Sequence, residues 1–427
     1  HRIRRHRLFE FAQRAPRGHR IVVATGDRIQ LGLPRRLLFF DFGAPRVAVL
    51  EAFDLRGVAR WQPLEQRRRG FAGIPVDPHV DRLHQPEDTF AAVDLDDLRV
   101  LGPVLDVVLR QHAEGPEPAA EGEHDVGVTG LALLALLGDG HTTRRGAYRE
   151  NVSRALQWLR AQQDLDTGMF GERLGHSYLY SHAIATLAVS EAYYFSKSPI
   201  LKGTAQRAVN FISRARNPYG AWRYESPPNG DQDTSVTGWM VLALRSAQDA
   251  GLRVDSQAFS GALAWLDGVT DDVTGRVGYD SEGSASSRIP GVNDHFPTDR
   301  TECMTAVGLL SRFFLGQDPR EHPVMEKHAD LLLKSLPEWD PDGLSNDMYY
   351  WYYGSYAMFQ MGGRHWENWN KAMKKAVLDS QRKDGSSKGS WDPIGPWGYA
   401  GGRVYSTALG VLCLEVYFRY SSLLGAR

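Results

Sequence analysis

The chain has 427 residues, of which 42% are hydrophobic and 24% charged, and its formal charge is −1. This composition is typical of globular proteins and gives no reason to expect a nucleic-acid partner. No apolar run approaches the roughly 18–20 residues that span a bilayer. Cys303 and Cys413 are too few for a disulfide framework and fit a reducing compartment. We therefore expect a cytoplasmic protein, with association at a membrane surface left open.

The first part of the chain has an unusual composition. Residues 1–147 contain no Lys, Ser, Asn, Tyr, Met or Cys, and residues 1–75 hold sixteen arginines against six acidic residues. Three interpretations stay open for this Arg-rich extension, residues 1–92: a basic arm that contacts an acidic partner, a disordered or poorly packed segment, or a misassigned start. We expect residues 93–427 to form the folded domain.

An internal repeat begins near residue 93. A small polar residue, followed by small residues and then an apolar run, recurs six times at intervals of 53, 55, 68, 50 and 52 residues. The six copies begin at Thr129, His182, Thr237, Thr305, Ser355 and Thr407. The longest interval contains a Gly/Ser-rich insertion at residues 281–293. Each copy is apolar nearly all round, which predicts a buried helix.

A second type of element lies between these copies and has amphipathic spacing. Examples are residues 155–159, 208–212 and 262–266, with weaker copies at 330–336 and 372–378 and an upstream one at 98–109. Most are followed by a glycine turn that ends on an aromatic residue, as at Phe170, Trp222 and Trp391. Six buried and six amphipathic helices in alternation predict an all-α, α6/α6 toroid with an irregular N-terminal extension.

The Gln, Gly and aromatic residues of segments 156–170 and 380–391 resemble degenerate Gln–Trp repeats. With the small-residue inner helices, residues 95–421 resemble the prenyltransferase and squalene cyclase repeat superfamily, and are closest in look to squalene-hopene-cyclase-like proteins. The resemblance implies a toroid fold and a hydrophobic isoprenoid substrate. It is a weaker guide to chemistry, because function depends on the site rather than on the scaffold.

In the cyclase branch, the resemblance implies a proton-donating acid in a D-x-D-D-T-A stretch that opens an inner helix. Residues 230–236 read Gly-Asp-Gln-Asp-Thr-Ser-Val, so the central acid position holds Gln232. The amide cannot supply the proton, which leaves Asp231 and Asp233 as the candidate catalytic residues. A carboxyl group flanked by another can have a raised pKa. The alternative is that Asp233 caps the helix.

In the prenyltransferase branch, the resemblance implies zinc held by Asp, Cys and His. Cys303 occupies the expected thiolate position, but the Asp position holds Thr301 and the next inner helix has no His. We therefore interpret Cys303 as a buried small apolar residue and predict neither a metal nor another cofactor.

Aromatic residues cluster near the starts of the predicted inner helices. In a toroid these ends meet around a central cavity, where aromatic rings would stabilise carbocations, stack on sugars or hold an apolar ligand. Packing in the core is the alternative role for these side chains. For His182 the alternative to acid–base catalysis is a structural hydrogen bond. The candidate substrate-binding residues are Tyr178, His182, Trp222, Trp239, Tyr352, Tyr356, Trp397 and Tyr405.

The sequence thus predicts a squalene- or terpene-cyclase-like protein that binds an isoprenoid in an aromatic-lined cavity and starts cyclisation by protonation. Two alternatives stay open. One is a toroid without catalytic activity that binds a ligand or a protein. The other is a polysaccharide lyase or hydrolase, which needs two carboxylates facing each other across a cleft.

Overall fold

The computed structural model describes residues 124–218, 220–288, 291–417 and 419, together with the backbone of five short strands earlier in the chain. The chain divides into two compact units, residues 1–95 and 96–427. In the first unit, β1 (Arg20–Val22), β2 (Arg28–Leu33) and β3 (Arg36–Asp41) form an antiparallel sheet in that order, and β4 (Leu50–Glu51) pairs with β5 (Arg60–Trp61). The three interpretations of the Arg-rich extension otherwise concern residues outside the described ones.

The second unit is helical throughout its described residues. Its α-helices in chain order are α1 (Asp125–Gly138), α2 (Arg149–Ala161), α3 (Tyr178–Ser196), α4 (Pro199–Ala215), α5 (Thr234–Asp249), α6 (Ser256–Gly268), α7 (Val292–His295), α8 (Cys303–Phe314), α9 (Val324–Leu332), α10 (Met348–Met361), α11 (Gly363–Ser380) and α12 (Gly398–Leu414). A short 3-10 helix at Thr298–Arg300 lies between α7 and α8.

Six of these helices form a closed inner ring. They contact one another in the order α1, α3, α5, α8, α10 and α12, and α12 returns to contact α1. Helices α2, α4, α6, α9 and α11 pack on the outside of this ring. The predicted all-α toroid is therefore confirmed. The upstream outer helix expected at residues 98–109 lies outside the described residues, so the full count of six and six stays a prediction.

Burial follows the two predicted types of helix. Every residue of α1 from Leu131 to Leu137 is buried, whereas α2 buries only Val152, Leu156 and Leu159 on one face. Small residues let the inner helices approach closely: a Cβ atom on Gly130 would lie 2.9 Å from Cγ2 of Ile184 on α3. The toroid core is thus built from the repeated element that the sequence shows.

In four of the six repeats the polar residue at the start also has a structural role. The residue that ends a glycine turn donates its backbone N–H to this polar side chain in the inner helix that follows. The pairs are Phe170 with Nδ1 of His182 at 3.0 Å, and Trp222 with Thr237, Val277 with Thr305 and Trp391 with Thr407, each at 3.3 Å to Oγ1. These bonds fix the turns against the N-terminal ends of the inner helices.

All six inner helices run in the same direction, because a returning outer helix separates each from the next. Their N-terminal ends therefore lie on one face of the toroid, called here the N-terminal face. The turns fixed by the repeated hydrogen bond lie on this face, and so do the first residues of α3, α5, α10 and α12. This placement gathers most of the side chains predicted to bind substrate.

Candidate functional site

Asp233 caps helix α5 on the N-terminal face. Its Oδ1 atom accepts a hydrogen bond from the backbone N–H of Val236 at 2.7 Å. The capping interpretation is therefore correct for one of the two carboxylate oxygens. The side chain is fully buried, so the other oxygen has to be accounted for separately.

The Oδ2 atom of Asp233 is buried and has no hydrogen-bond partner. Its nearest cationic group is Nε of Arg223, at 3.8 Å. Burial raises the pKa of Asp233 to about 7, because desolvation of the carboxylate outweighs the hydrogen bond from Val236 and the charge of Arg223. Asp233 is therefore a carboxyl group that still holds its proton in a large fraction of molecules at neutral pH.

Three tyrosines surround this carboxyl group. The hydroxyls of Tyr224 and Tyr279 are hydrogen-bonded to each other, and the ring centroids of Tyr180 and Tyr224 are 6.2 Å apart. Burial and then the nearby Asp233 carboxylate raise the pKa of all three phenols. The tyrosines therefore remain neutral hydroxyl groups around the acid.

Arg223 lies next to Asp233 and contacts two of these tyrosines. Its guanidinium lies 5.4 Å from the ring centroids of both Tyr224 and Tyr279. Its Nη2 atom lies 3.9 Å from Oδ2 of Asp280, whose side chain is 44% exposed. Asp233, Arg223, Tyr180, Tyr224 and Tyr279 are called here the acid cluster.

Sequence reasoning missed Arg223, Tyr224, Tyr279 and Asp280. A signal for two of them was present in the repeat register. Tyr224 and Tyr279 each lie two residues after the residue, Trp222 or Val277, that bonds the next inner helix. The same position of two successive repeats thus supplies the pair of rings that holds Arg223.

Asp231, the second predicted acid, lies in a different environment. Its side chain is exposed and accepts a hydrogen bond from Nδ2 of Asn229 at 3.1 Å. Gln232 has a structural role, because its Oε1 accepts the backbone N–H of Ala221 at 2.5 Å. Burial is the main cause of the raised pKa of Asp233, and the carboxylate that adds to it is Asp280. The expected flanking by Asp231 is not that cause.

His182 is fully buried, and both of its ring nitrogens have partners. Nδ1 accepts from the backbone of Phe170, and Nε2 lies 3.2 Å from the carbonyl oxygen of Ala208. Burial lowers the pKa of His182 to about 3, so the ring is neutral at physiological pH. His182 occupies the position that Thr237, Thr305 and Thr407 hold in other repeats. This placement agrees with the alternative that His182 makes a structural hydrogen bond.

Two more predicted residues are held by hydrogen bonds to the backbone. Trp222 is fully buried and donates its indole N–H to the carbonyl of Ile212 at 2.9 Å. The hydroxyl of Tyr178 accepts the backbone N–H of Ser226 at 2.9 Å.

The predicted aromatic residues of α5 and α10 meet across the ring. Trp239 stacks on Tyr352, with centroids 5.5 Å apart and planes inclined by 13°, and it also contacts Tyr349 and Tyr353. Tyr352 packs on Tyr356 at 4.9 Å. Since α8 lies between α5 and α10 in the ring, these side chains reach through its interior.

Trp397 and Tyr405 belong to a second polar cluster on the N-terminal face. Asp347 caps α10 through Oδ1, which accepts from the backbone N–H of Tyr350 at 3.1 Å. Oδ2 of Asp347 pairs with Nη2 of Arg288 at 2.8 Å, and both side chains are at most 4% exposed. The Arg288 guanidinium lies 5.5 Å from the Trp397 ring, and Trp397 and Tyr405 border one small cavity.

A larger cavity, of about 450 Å³, lies beside α10 and is lined by Tyr350, Trp351, Lys334 and Arg300 among others. Asp233 is not among its lining residues. Cys303 is buried at the start of α8. Within the described residues, no group of three His, Cys, Asp or Glu side chains is placed to hold a metal ion. No helix in that part of the chain is both long and apolar enough to cross a membrane.

The closed inner ring, with outer helices packed around it, defines the class of protein as an α/α toroid. The family model of the squalene-hopene cyclase C-terminal domain matches residues 118–281, a stretch that contains the whole acid cluster. The resemblance to the prenyltransferase and squalene cyclase repeat superfamily is therefore confirmed. No curated protein matches the chain.

Solved structures of other toroids share this fold at low sequence identity. A GH76 α-mannanase from Bacteroides thetaiotaomicron has a TM-score of 0.51 at 8% identity, covering 77% of this chain and 97% of its own. An inactive variant of an α-1,6-mannanase from Salegentibacter sp. HEL1_6, in complex with α-1,6-mannotriose, has a TM-score of 0.50 at 10% identity, covering 74% and 98%. The unsaturated glucuronyl hydrolase of Bacillus sp. GL1 has a TM-score of 0.50 at 15% identity, covering 76% and 96%. These likenesses support the fold alone.

Proposed function

We propose that this protein is an enzyme of the terpene-cyclase kind, in which Asp233 protonates a hydrophobic isoprenoid and so starts its cyclisation. The observation that carries the proposal is the state of Oδ2 of Asp233: it is buried, has no hydrogen-bond partner and belongs to a carboxyl group with a pKa of about 7. A proton donor for a weakly basic substrate needs this combination of burial and retained proton.

The chemistry follows from the acid cluster. Oδ2 of Asp233 gives its proton to a carbon of the substrate double bond, and the cation left on the substrate is attacked by the next double bond along the chain. Trp239 and Tyr352 lie stacked on each other in the ring interior, and a substrate cation that separates them would be attracted by the quadrupole of each ring. The last cation loses a proton to water or to a basic group, which completes the reaction.

Access to the acid requires a rearrangement, because Asp233 is fully buried. Tyr180, Tyr224 and Tyr279 lie close to its carboxyl group. A substrate reaches Oδ2 when these tyrosines move apart. When the tyrosines close again over the bound substrate, they keep water away from the carbocation.

The test is incubation of the full chain with squalene and with shorter polyprenyl substrates in D₂O, followed by mass analysis of the lipids. The carboxyl proton exchanges with solvent, so the native protein is expected to yield a cyclic product with one added deuterium. Asp233→Asn removes the donor and is expected to slow product formation by about 10²–10⁴-fold, the usual contribution of a general acid.

The matched control is Asp255→Asn, the same substitution at the cap of outer helix α6, where the side chain is 40% exposed. This variant is expected to keep the native rate. No product with the native chain, or a loss of activity with Asp231→Asn but not with Asp233→Asn, would contradict the proposal.

A second candidate is hydrolysis of a glycosidic bond, and Asp280 is the observation that favours it. Asp233 and Asp280 each lie within 4 Å of a nitrogen of the single planar guanidinium of Arg223, so their carboxyl groups are no more than roughly 10 Å apart. A pair of carboxyl groups about 5–9.5 Å apart is the arrangement that glycosidases use. Release of reducing sugar from mannan oligosaccharides, lost with Asp280→Asn, would support this candidate over cyclisation. Binding of polyprenyl or sugar ligands without turnover would instead support a toroid that only binds.

A further inference from the structure

Arg223 lies between two carboxylates and makes a short ion pair with neither. Its Nε atom is 3.8 Å from Oδ2 of Asp233, and its Nη2 atom is 3.9 Å from Oδ2 of Asp280. A charge-assisted hydrogen bond between these groups is about 2.7–2.9 Å long. A movement of the guanidinium by about 1 Å towards either carboxylate would therefore complete the ion pair with that carboxylate.

Two aromatic rings hold the guanidinium in this intermediate position. The ring centroids of Tyr224 and Tyr279 are both 5.4 Å from the guanidinium carbon, and the two hydroxyls are hydrogen-bonded to each other. Attraction to the ring faces stabilises the cation without committing it to one carboxylate. The two rings thus support the guanidinium in a position from which it can pair with either Asp233 or Asp280.

The two carboxylates differ in their access to water. Asp280 is 44% exposed, so solvent stabilises its charge whether or not Arg223 is paired with it. Asp233 is fully buried, so a charge formed there depends on groups within the protein. The other titratable groups that face Asp233 are the neutral phenols of Tyr180 on α3, Tyr224 and Tyr279 in the turns, and Tyr349 on α10.

We propose that Arg223 is a positioning residue that pairs with Asp280 while Asp233 holds its proton, and turns to Asp233 once that proton has been given to the substrate. The proposal rests on the acid role proposed for Asp233. In the resting state Asp280 balances the arginine, so Asp233 remains neutral. After transfer, Arg223 compensates the new buried carboxylate, and the return of a proton from solvent releases the arginine again.

The experiment is an NMR titration of the Asp233 carboxyl carbon in full-length protein labelled with ¹³C-aspartate, assigned by the signal lost in Asp233→Asn. Arg223→Gln removes the cation and is expected to raise the titration midpoint of Asp233 by about one pH unit. Asp280→Asn removes the competing anion and is expected to lower that midpoint by about half a unit. Arg223→Lys keeps the charge and is expected to lie between the native protein and Arg223→Gln.

The matched control is Arg245→Gln. Arg245 pairs with Asp249 at 3.2 Å near the other end of the same helix α5, so its loss is expected to leave the midpoint of Asp233 unchanged. A midpoint in Arg223→Gln equal to that of this control would overturn the proposal. If Arg223→Gln does not fold, a midpoint unchanged in both Asp280→Asn and Arg223→Lys would overturn it as well.

The titration needs no substrate, so it separates this proposal from the proposed function. Shifted midpoints with no product from any polyprenyl substrate would leave the pairing of Arg223 supported and the cyclase proposal contradicted. Cyclic product with unshifted midpoints would support the cyclase proposal and contradict the pairing of Arg223. If the protein is active, Arg223→Gln is expected to lower kcat more than it raises KM, because the arginine acts after the substrate is bound.

Discussion

Helices α5 and α10 begin in the same way and differ in one ion pair. Each is preceded by a buried aspartate, Asp233 or Asp347. Its Oδ1 atom accepts a hydrogen bond from the backbone N–H of the residue three positions later. At Asp347 the second oxygen lies 2.8 Å from Arg288, whereas at Asp233 the nearest guanidinium nitrogen is 3.8 Å away. The two caps are otherwise alike in burial, since Asp233 is 0% and Asp347 3% exposed.

This difference gives the two capping aspartates different electrostatic surroundings. A buried carboxylate persists when a partner at short range compensates its charge, and Asp347 has that partner. Asp233 lacks it, so burial raises its pKa to about 7 and the group retains a proton. The cap of α10 is a structural ion pair, and the cap of α5 is available as an acid.

The largest effect is expected from Asp347→Asn. The substitution leaves the Arg288 guanidinium buried without a charged partner, which should lower the free energy of unfolding by about 4 kcal/mol. Urea unfolding at pH 7 measures this loss. Adding Arg288→Met should recover most of it, because an apolar side chain of similar length carries no buried charge. A loss below about 1 kcal/mol would mean that the two caps do not differ in the way described.

The same substitution at Asp233 is expected to have the opposite sign. The pKa of Asp233 is about 7 in the folded protein, above its unfolded value of about 4, so the stabilising contribution of its proton is complete below pH 4 and is lost as the pH rises through 7. Asn caps a helix equally well and cannot ionise. Asp233→Asn should therefore raise the free energy of unfolding by about 3.5 kcal/mol at pH 8 relative to pH 4. Urea unfolding at the two pH values measures the gain, and a gain independent of pH would count against an ionisable origin.

The smallest expected effect is one that both caps share. Replacing Asp by Ala instead of Asn removes the hydrogen bond to Val236 at one cap and to Tyr350 at the other. The Ala variant should be less stable than the Asn variant by about 1 kcal/mol at each position. Thermal unfolding of the four variants at pH 5 checks this equality. A difference confined to Asp347 would show that Oδ1 of Asp233 contributes little as a cap.

The fold was predictable because each inner helix carries the same local pattern. In four of the six repeats the polar residue, as at Thr237 and Thr407, accepts the backbone N–H of the preceding turn, so the repeated pattern reflects a packing requirement. Asp233 was predictable as a candidate through the resemblance to the cyclases, because it matches the last acid of the D-x-D-D-T-A stretch that opens an inner helix. The sequence also placed His182 in the repeat register, where its neutral ring replaces a threonine hydroxyl.

The rest of the site depends on contacts that only the closed ring creates. Arg223 and Asp280 lie in turns that belong to different repeats, and their approach to Asp233 depends on how the turns lie on the N-terminal face. Asp231 and Asp233 are two residues apart, yet one is exposed and the other buried, a difference that the spacing alone does not reveal. Composition and periodicity therefore predict the ring, while the charge balance of the acid follows from its three-dimensional neighbours.

The central claim is that Asp233 holds a proton at neutral pH, and the titration of its carboxyl carbon in the native chain tests it most directly. A midpoint close to 7 is the predicted result, with the signal absent in Asp233→Asn. A midpoint near 4, the ordinary value for an aspartate, would show that the buried oxygen is charged and would contradict the role of Asp233 as an acid.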